Sequence, residues 1–121
     1  MPFRRVLTTL VERARGARGA IFCDQEGESV ELVVRDRGLS EYDMKVFGAQ
    51  VAAAWLDLQA NSSECGAGGI LELRLWCAEG TLLIRTLREG YYVVLLVAKG
   101  APSGPAAFLL RSAAGEMERE M

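Results

Sequence analysis

The chain has 121 residues, of which 50% are apolar and 25% charged, as in one ordinary globular domain, and we expect a single domain over residues 1–121. The formal net charge of −2 provides no long-range attraction for nucleic acid or anionic lipid. The longest apolar run is far shorter than a membrane-spanning helix, and the first residues lack the apolar core of a signal peptide. We therefore expect a cytoplasmic protein that binds no nucleic acid and does not insert into membranes.

The composition also limits the possible chemistry. There is no histidine, which excludes histidine general bases, histidine metal sites and the usual serine or cysteine triads. The three cysteines, Cys23, Cys65 and Cys77, form no Cys-x-x-Cys pair, and their odd number favours reduced thiols. We expect no catalytic residue, no metal and no cofactor.

Residues 2–15 predict a surface helix, because their apolar side chains recur at the spacing of one helical face. A hairpin follows, with an apolar run at residues 20–23, turn residues at 24–27 and a more alternating run at residues 29–35. The first strand is apolar on both faces and is expected inside the sheet, whereas the second is expected at an edge.

The middle helix is predicted from Ser40, where Ser40 and Asp43 resemble a capping box, to about Gln59. The face expected to pack on the sheet consists of Met44, Phe47, Val51, Ala54, Trp55 and Leu58. A second, narrower apolar stripe lies where a surface helix would carry charge: Val46, Ala49, Ala53 and Leu56. A helix that is apolar on both sides is normally covered on both sides, here by a partner or by a loop of the same chain.

Residues 61–69 predict a flexible loop, followed by three strands at residues 70–77, 81–87 and 91–98. The run 91–98 is apolar throughout, which predicts a central strand buried on both faces. The strand at 70–77 places Leu71, Leu73, Leu75 and Cys77 on one face, and Glu72, Arg74 and Trp76 on the other. A final helix follows the rigid segment 102–105, and residues 116–121 are expected to fray.

These elements give the order αββαβββα, an α/β (α+β) domain with three layers. Apolar central strands and alternating edge strands suggest a mostly antiparallel sheet of order 2-1-5-4-3, with the terminal helices on one face and the middle helix on the other. The strand at 70–77 would be an edge without proline or lysine, which is an aggregation hazard if left alone. A twofold homodimer that pairs these strands and packs the middle helices together would cover both surfaces. The expected dimer or partner interface is Val46, Ala49, Ala53, Leu56, Leu71, Leu73, Leu75 and Trp76.

Three stretches resemble the Roadblock/dynein light chain family: the hairpin at residues 19–27, the Glu41-Tyr42-Asp43-Met44 opening of the second helix, and the Gly90-Tyr91-Tyr92-Val93-Val94 strand. Among bacterial members the chain is most similar to the small Mgl-type (MglB/MglC-like) proteins, which work with a Ras-like GTPase in cell polarity and motility. The resemblance covers nearly the whole chain and contains no invariant catalytic signature. It implies a homodimer joined through the third strands, whose paired second helices offer a surface to a small GTPase or to another Roadblock protein.

The sequence therefore favours a non-enzymatic homodimeric scaffold or regulator of a Ras-like small GTPase system. A cargo-binding chaperone of the secretion type is the alternative, because such proteins are also small, acidic α/β dimers. A small enzyme is disfavoured by the missing histidine and by the lack of a convergent polar cluster. The glycine-rich segment 65–69 does not predict a phosphate loop, since no Gly-Lys-Ser/Thr sequence and no helix follow it.

Overall fold

A computed structural model of the protein describes residues 2–121, which form helices on both faces of a five-stranded sheet. The elements in chain order are α1 (Pro2–Arg13), β1 (Ala17–Cys23), β2 (Ser29–Val34), α2 (Glu41–Glu64), β3 (Glu72–Cys77), β4 (Gly80–Thr86), β5 (Tyr92–Ala98) and α3 (Ser103–Arg119). A short 3-10 turn, Arg88–Gly90, joins β4 to β5. This order confirms the predicted αββαβββα arrangement.

The sheet has the order β2-β1-β5-β4-β3, and every neighbouring pair is antiparallel, as predicted. The central strand β5 pairs with β1 on one side and β4 on the other, so that Val94 lies opposite both Ile21 and Ile84. Val93 and Val94 are fully buried on opposite faces of the sheet. The apolar run at residues 91–98 is therefore a central strand because it is covered above and below.

Two separate apolar cores lie on the two faces of the sheet. Helices α1 and α3 cover one face, and α2 covers part of the other. Each strand contributes alternate residues to the two cores: Phe22 of β1 packs under α1 and α3, whereas the adjacent Ile21 packs under α2. The predicted placement of the helices is confirmed.

Helix α2 differs from the prediction in length. The capping box is present at its start, since Asp43 N–H donates to Ser40 Oγ at 3.0 Å and Ser40 N–H donates to Asp43 Oδ2 at 3.2 Å. The helix then continues past Gln59 to Glu64, so the predicted loop at residues 61–69 was wrong over its first half. Asn and Ser have modest helix propensity, but no glycine or proline occurs between Gln59 and Gly66 to stop the helix.

The C-terminal prediction was also wrong, because α3 remains helical to Arg119 instead of fraying from residue 116. Met117 is fully buried in the core beneath α1 and α3 and holds this end of the helix against the sheet. Glu118 adds polar contacts, since its Oε2 accepts from Arg88 N–H at 2.9 Å and its carbonyl oxygen accepts from Arg88 Nη2 at 2.7 Å.

Candidate interaction surface

The position of α2 over the sheet is set by residues with small side chains. Gly48 faces β1, and a Cβ at this position would lie 3.1 Å from Ile21 Cδ1 and 3.3 Å from Cys23 Sγ. The hydroxyl of Tyr92 donates to the carbonyl oxygen of Gly48 at 3.3 Å in the same buried region. Helix α2 therefore lies close over β1 and β2, and not over the centre of the sheet.

This lateral position corrects the predicted sheet-facing side of α2. Met44 and Trp55 are buried as expected, but Gly48 and Ala52 are buried beside them, while Ala54 and Leu58 are exposed. The prediction assumed that the sheet lies beneath every residue of α2 that has the helical spacing of one face. Beneath Ala54 and Leu58 there is an open groove instead.

The groove runs between α2 and the strands β3 and β4 and has two parts. The smaller part, of about 240 Å³, is lined by Val51, Ala54, Trp55 and Leu58 of α2 and by Leu73, Leu75, Leu82 and Ile84 of the strands. The wider part, of about 500 Å³, continues past Tyr42, Val46, Phe47 and Gln50 to Cys77, Gly80 and Leu96. Both walls are mainly apolar, so the groove leaves a large apolar surface facing solvent.

At one end of the groove, the side chain of Gln59 makes the two backbone hydrogen bonds that a neighbouring strand would make. The amide of Gln59 donates to the carbonyl oxygen of Ile70 at 3.0 Å, and its Oε1 accepts from Ile70 N–H at 2.6 Å. These two bonds join the C-terminal half of α2 to the residues that lead into β3. The two walls of the groove are thus held at a defined separation where they meet.

The predicted second stripe of α2 lies on the solvent side of the helix. Val46, Ala49, Ala53 and Leu56 are all exposed, with Leu56 at 52%. Tyr42 lies beside this stripe and is 75% exposed. No loop among residues 2–121 covers the stripe, so the alternative of an internal cover is excluded for the described chain.

Strand β3 is an edge, as predicted, because it pairs with β4 only. Thr86 N–H donates to the carbonyl oxygen of Leu71 at 3.0 Å, and Glu72 lies opposite Arg85. Leu71 and Thr86 are therefore a hydrogen-bonded pair, and the next pair, Glu72 and Arg85, is not, because the two kinds of pair alternate along an antiparallel ladder. The backbone N–H and C=O groups of Glu72, Arg74 and Trp76 consequently point away from β4. These groups form a free pairing edge.

The predicted site residues on β3 lie on two different faces of the sheet. Leu73 and Leu75 face the groove, and Leu71, just before the strand, is 67% exposed. Trp76 lies on the opposite face, where α3 is, and is 73% exposed. The structure therefore brings the leucines of β3 to the α2 side and separates Trp76 from them.

Four groove residues of α2, Phe47, Val51, Ala54 and Leu58, were missed as site residues in the sequence. Their spacing is that of a sheet-packing face, and they were assigned to that role. One feature of the sequence argues against this assignment. Gly48 has no side chain, and it is the residue at which α2 contacts β1. Their role depends on where α2 lies across the sheet, which helical periodicity does not encode.

Cys23 and Tyr92 lie in the apolar core beneath α2 and have perturbed pKa values. Burial raises the pKa of the Cys23 thiol to about 11 and also raises the pKa of Tyr92, so both groups stay protonated. Within residues 2–121, no group of three or more Cys, Asp or Glu side chains is arranged to hold a metal ion. No helix in residues 2–121 combines the length and apolarity that a membrane crossing requires.

No protein-family model matches this sequence, and no curated protein sequence is similar to it at a significant level. Solved structures do match. MglB from Myxococcus xanthus has a TM-score of 0.87 at 13% identity, with 98% of this chain and 93% of that chain covered. A Roadblock/LC7 domain from Streptomyces avermitilis has a TM-score of 0.85 at 13% identity, with 97% and 95% covered.

MglC from Myxococcus xanthus is similar over 100% of both chains, with a TM-score of 0.73 and 22% identity. These identities are low, and the likeness concerns the course of the whole chain. The chain therefore has the fold of the Roadblock/LC7 domain proteins, among them MglB and MglC, as the resemblance of its sequence implied.

Proposed function

We propose that the protein is a non-enzymatic homodimeric scaffold or regulator that binds a Ras-like small GTPase, another Roadblock protein, or both. One observation carries this proposal: the free edge of β3, the apolar groove and the exposed stripe of α2 lie together on one side of the molecule. An unpaired edge next to a large apolar surface is typical of an interface.

A second copy fits the edge of β3. A twofold axis perpendicular to the sheet pairs β3 with its own copy in antiparallel orientation and keeps the α2 sides of both sheets together. In this arrangement the leucine side chains of β3 pack against those of the partner's β3, namely Leu71, Leu73 and Leu75. The outward N–H and C=O groups of β3 form hydrogen bonds with the partner's β3; they belong to Glu72, Arg74 and Trp76. The resulting ten-stranded sheet has no exposed β3 edge.

The same axis brings the two α2 helices towards each other. Their solvent sides carry Val46, Ala49, Ala53 and Leu56, and the distance between two packed helices is shorter where the side chains in contact are small. What remains of the stripes and grooves is the surface that we assign to the GTPase or to another Roadblock protein. The likeness to MglB and MglC supports this assignment, and no arginine is assigned a role in GTP hydrolysis.

The dimer is tested by sedimentation velocity on the full chain. Leu71→Asp and Leu56→Asp each place a charge in the proposed interface and are expected to give monomers at concentrations where the wild type is a dimer. Val30→Asp makes the same change on an exposed apolar residue of β2, at the other edge of the sheet, and is the matched control. An unchanged mass for both interface variants, or dissociation by Val30→Asp, would overturn the proposed dimer.

GTPase binding is tested with a purified Ras-like GTPase from an Mgl-type system, loaded with GDP or with a non-hydrolysable GTP analogue. We expect binding that depends on the nucleotide and is lost when Ala53 is replaced by Glu. The cargo-chaperone alternative uses the apolar groove to hold an unfolded segment. Thermal stabilisation by an unfolded polypeptide, with none by the folded GTPase in either nucleotide state, would favour that alternative and refute our proposal.

A further inference from the structure

Three arginines converge on one glutamate on the side of the sheet that α2 does not cover. Arg111 of α3 binds Glu72 of β3 with both ends of its guanidinium group, with Nε to Oε1 and Nη2 to Oε2 each at 2.9 Å. Arg85 of β4 approaches Glu72 Oε1 at 3.6 Å, and Arg74 approaches Oε2 at 3.8 Å. The four side chains come from three different elements and meet beside the free edge of β3.

The positive charge of the three arginines exceeds the negative charge of Glu72. Three arginines and one glutamate leave a surplus of two positive charges, in a chain whose net charge is −2. Arg111 already occupies both oxygens of Glu72, and the distances from Arg74 and Arg85 are longer than hydrogen bonds. Over residues 2–121, Glu72 is the only carboxylate within 4.0 Å of these arginines. Arg74 Nη1 donates to Ser103 Oγ at 3.4 Å, and the other donors of Arg74 and those of Arg85 remain available to a ligand.

Two exposed aromatic side chains lie on the same side of the protein. Trp76 follows Arg74 on the same face of β3 and is 73% exposed. Phe108 lies one helical turn before Arg111 on α3 and is 65% exposed.

We propose that Arg74, Arg85 and Arg111, with Trp76 and Phe108, form a docking surface for an acidic segment of a partner protein. We call this surface the arginine patch. Guanidinium groups recognise carboxylates through paired hydrogen bonds, and flanking aromatic rings bind the apolar side chains that accompany acidic residues in such segments. All five side chains belong to one protomer and lie on the opposite face of the sheet from the groove, so the arginine patch is separate from the proposed GTPase surface. In the proposed dimer, its β3 residues lie next to the partner's β3 strand.

The amount of charge distinguishes a protein segment from nucleic acid. A surplus of two charges matches two carboxylates, whereas a nucleic acid brings a phosphate every few ångströms and needs many neutralising contacts. Glu72 also lies at the centre of the patch, where a continuous phosphate backbone would approach it closely. An acidic segment with carboxylates spaced around Glu72 avoids this repulsion.

The test uses tryptophan fluorescence of the full chain, because Trp55 is buried and Trp76 is the exposed reporter. The probe is a synthetic acidic peptide containing Glu, Asp, Leu and Phe. We expect a saturable change in fluorescence at low ionic strength that weakens as salt is added. Arg85→Gln leaves the Arg111–Glu72 pair in place and is expected to weaken binding about tenfold, as for the loss of one charge-assisted hydrogen bond.

The matched control is Arg5→Gln, which removes the same charge from an exposed position of α1 away from the patch. Binding that is retained in Arg5→Gln and lost in Arg85→Gln supports the proposal. An equal loss in both variants would mean attraction to overall charge only and would overturn it. Tighter binding of a single-stranded oligonucleotide or of inorganic phosphate than of the peptide would also overturn it. The dimer variant Leu56→Asp places its charge on α2, on the other face of the sheet, and is expected to bind the peptide as the wild type does, which separates this test from that of the proposed function.

Discussion

Gly27, in the turn between β1 and β2, lies directly against Ala52 of α2, and there is no room for a side chain between them. Gly27 also has a φ of +87°, a conformation that residues with a Cβ adopt only at a cost. We predict that Gly27→Ala lowers the free energy of unfolding by about 2 to 4 kcal/mol, because backbone strain and overpacking act together. Urea denaturation monitored by circular dichroism measures the change.

Gly66 supplies the control for this prediction. Its φ of +83° is nearly the same, but no atom lies within 4 Å of the position of its Cβ. Gly66→Ala is therefore expected to cost only about 1 kcal/mol, from backbone strain alone. Equal losses in the two variants would show that the contact between the hairpin turn and Ala52 does not position α2.

The direction of the backbone groups of β3 can be tested with proline. Arg74 N–H points away from β4, so Arg74→Pro removes a donor of the free edge and leaves the bonds to β4 intact. We predict that Arg74→Pro is a folded monomer, whereas Arg74→Ala, which removes the same side chain, remains a dimer. Sedimentation velocity gives the mass, and far-ultraviolet circular dichroism checks the fold. A dimeric Arg74→Pro variant would exclude pairing through this edge.

The ion pair of Glu72 predicts a dependence of stability on pH. The hydrogen-bonded Arg111, with Arg85 and Arg74 nearby, holds the pKa of Glu72 below its usual value of 4.5 in the folded protein. A carboxylate with a lowered pKa stabilises the fold above the unfolded-state pKa, and this contribution is lost as the pH falls through the folded-state pKa. We predict that the wild type is more stable than Glu72→Gln at neutral pH, and that the difference shrinks at pH values below 4.5.

Urea denaturation of the wild type and Glu72→Gln over this pH range measures the difference in unfolding free energy. The two proteins differ mainly in the charge at position 72, because the amide oxygen of Gln can still accept a hydrogen bond from Arg111. A difference that stays constant from neutral pH into the acid range would contradict the assignment of the effect to the charge of Glu72.

The cysteines are predicted to differ in reactivity. Burial raises the pKa of Cys23 to about 11, so its thiolate is scarce at neutral pH and is also shielded from reagents. Cys65 is exposed at the C-terminal end of α2. We expect iodoacetamide to modify Cys65 in the folded protein and Cys23 only after unfolding, as read by mass spectrometry of peptides. Rapid modification of Cys23 in the native protein would show that its pocket opens.

Much of the architecture follows from local patterns in the sequence. The apolar run at residues 91–98 identified the central strand, and the Ser40 and Asp43 pair identified the start of α2. The alternation of leucines in β3 identified an edge strand with one apolar face. These signals are local because side-chain burial repeats with the period of each helix or strand. Ends of helices were less predictable, since no single residue stops α2 at Gln59 and tertiary contacts of Met117 keep α3 ordered.

The sequence by itself determined the kinds and order of the elements, the order of the strands and the two apolar sides of α2. Only the tertiary structure decided where α2 lies across the sheet, and therefore that Ala54 and Leu58 line an open groove. It also brought Arg74, Arg85 and Arg111 to one carboxylate and placed the leucines of β3 on the side of the sheet where α2 lies. The physical reason is that periodicity reports which side of an element is buried. The distance and offset between elements depend instead on how side chains far apart in sequence, such as Gly48 and Ile21, fit together.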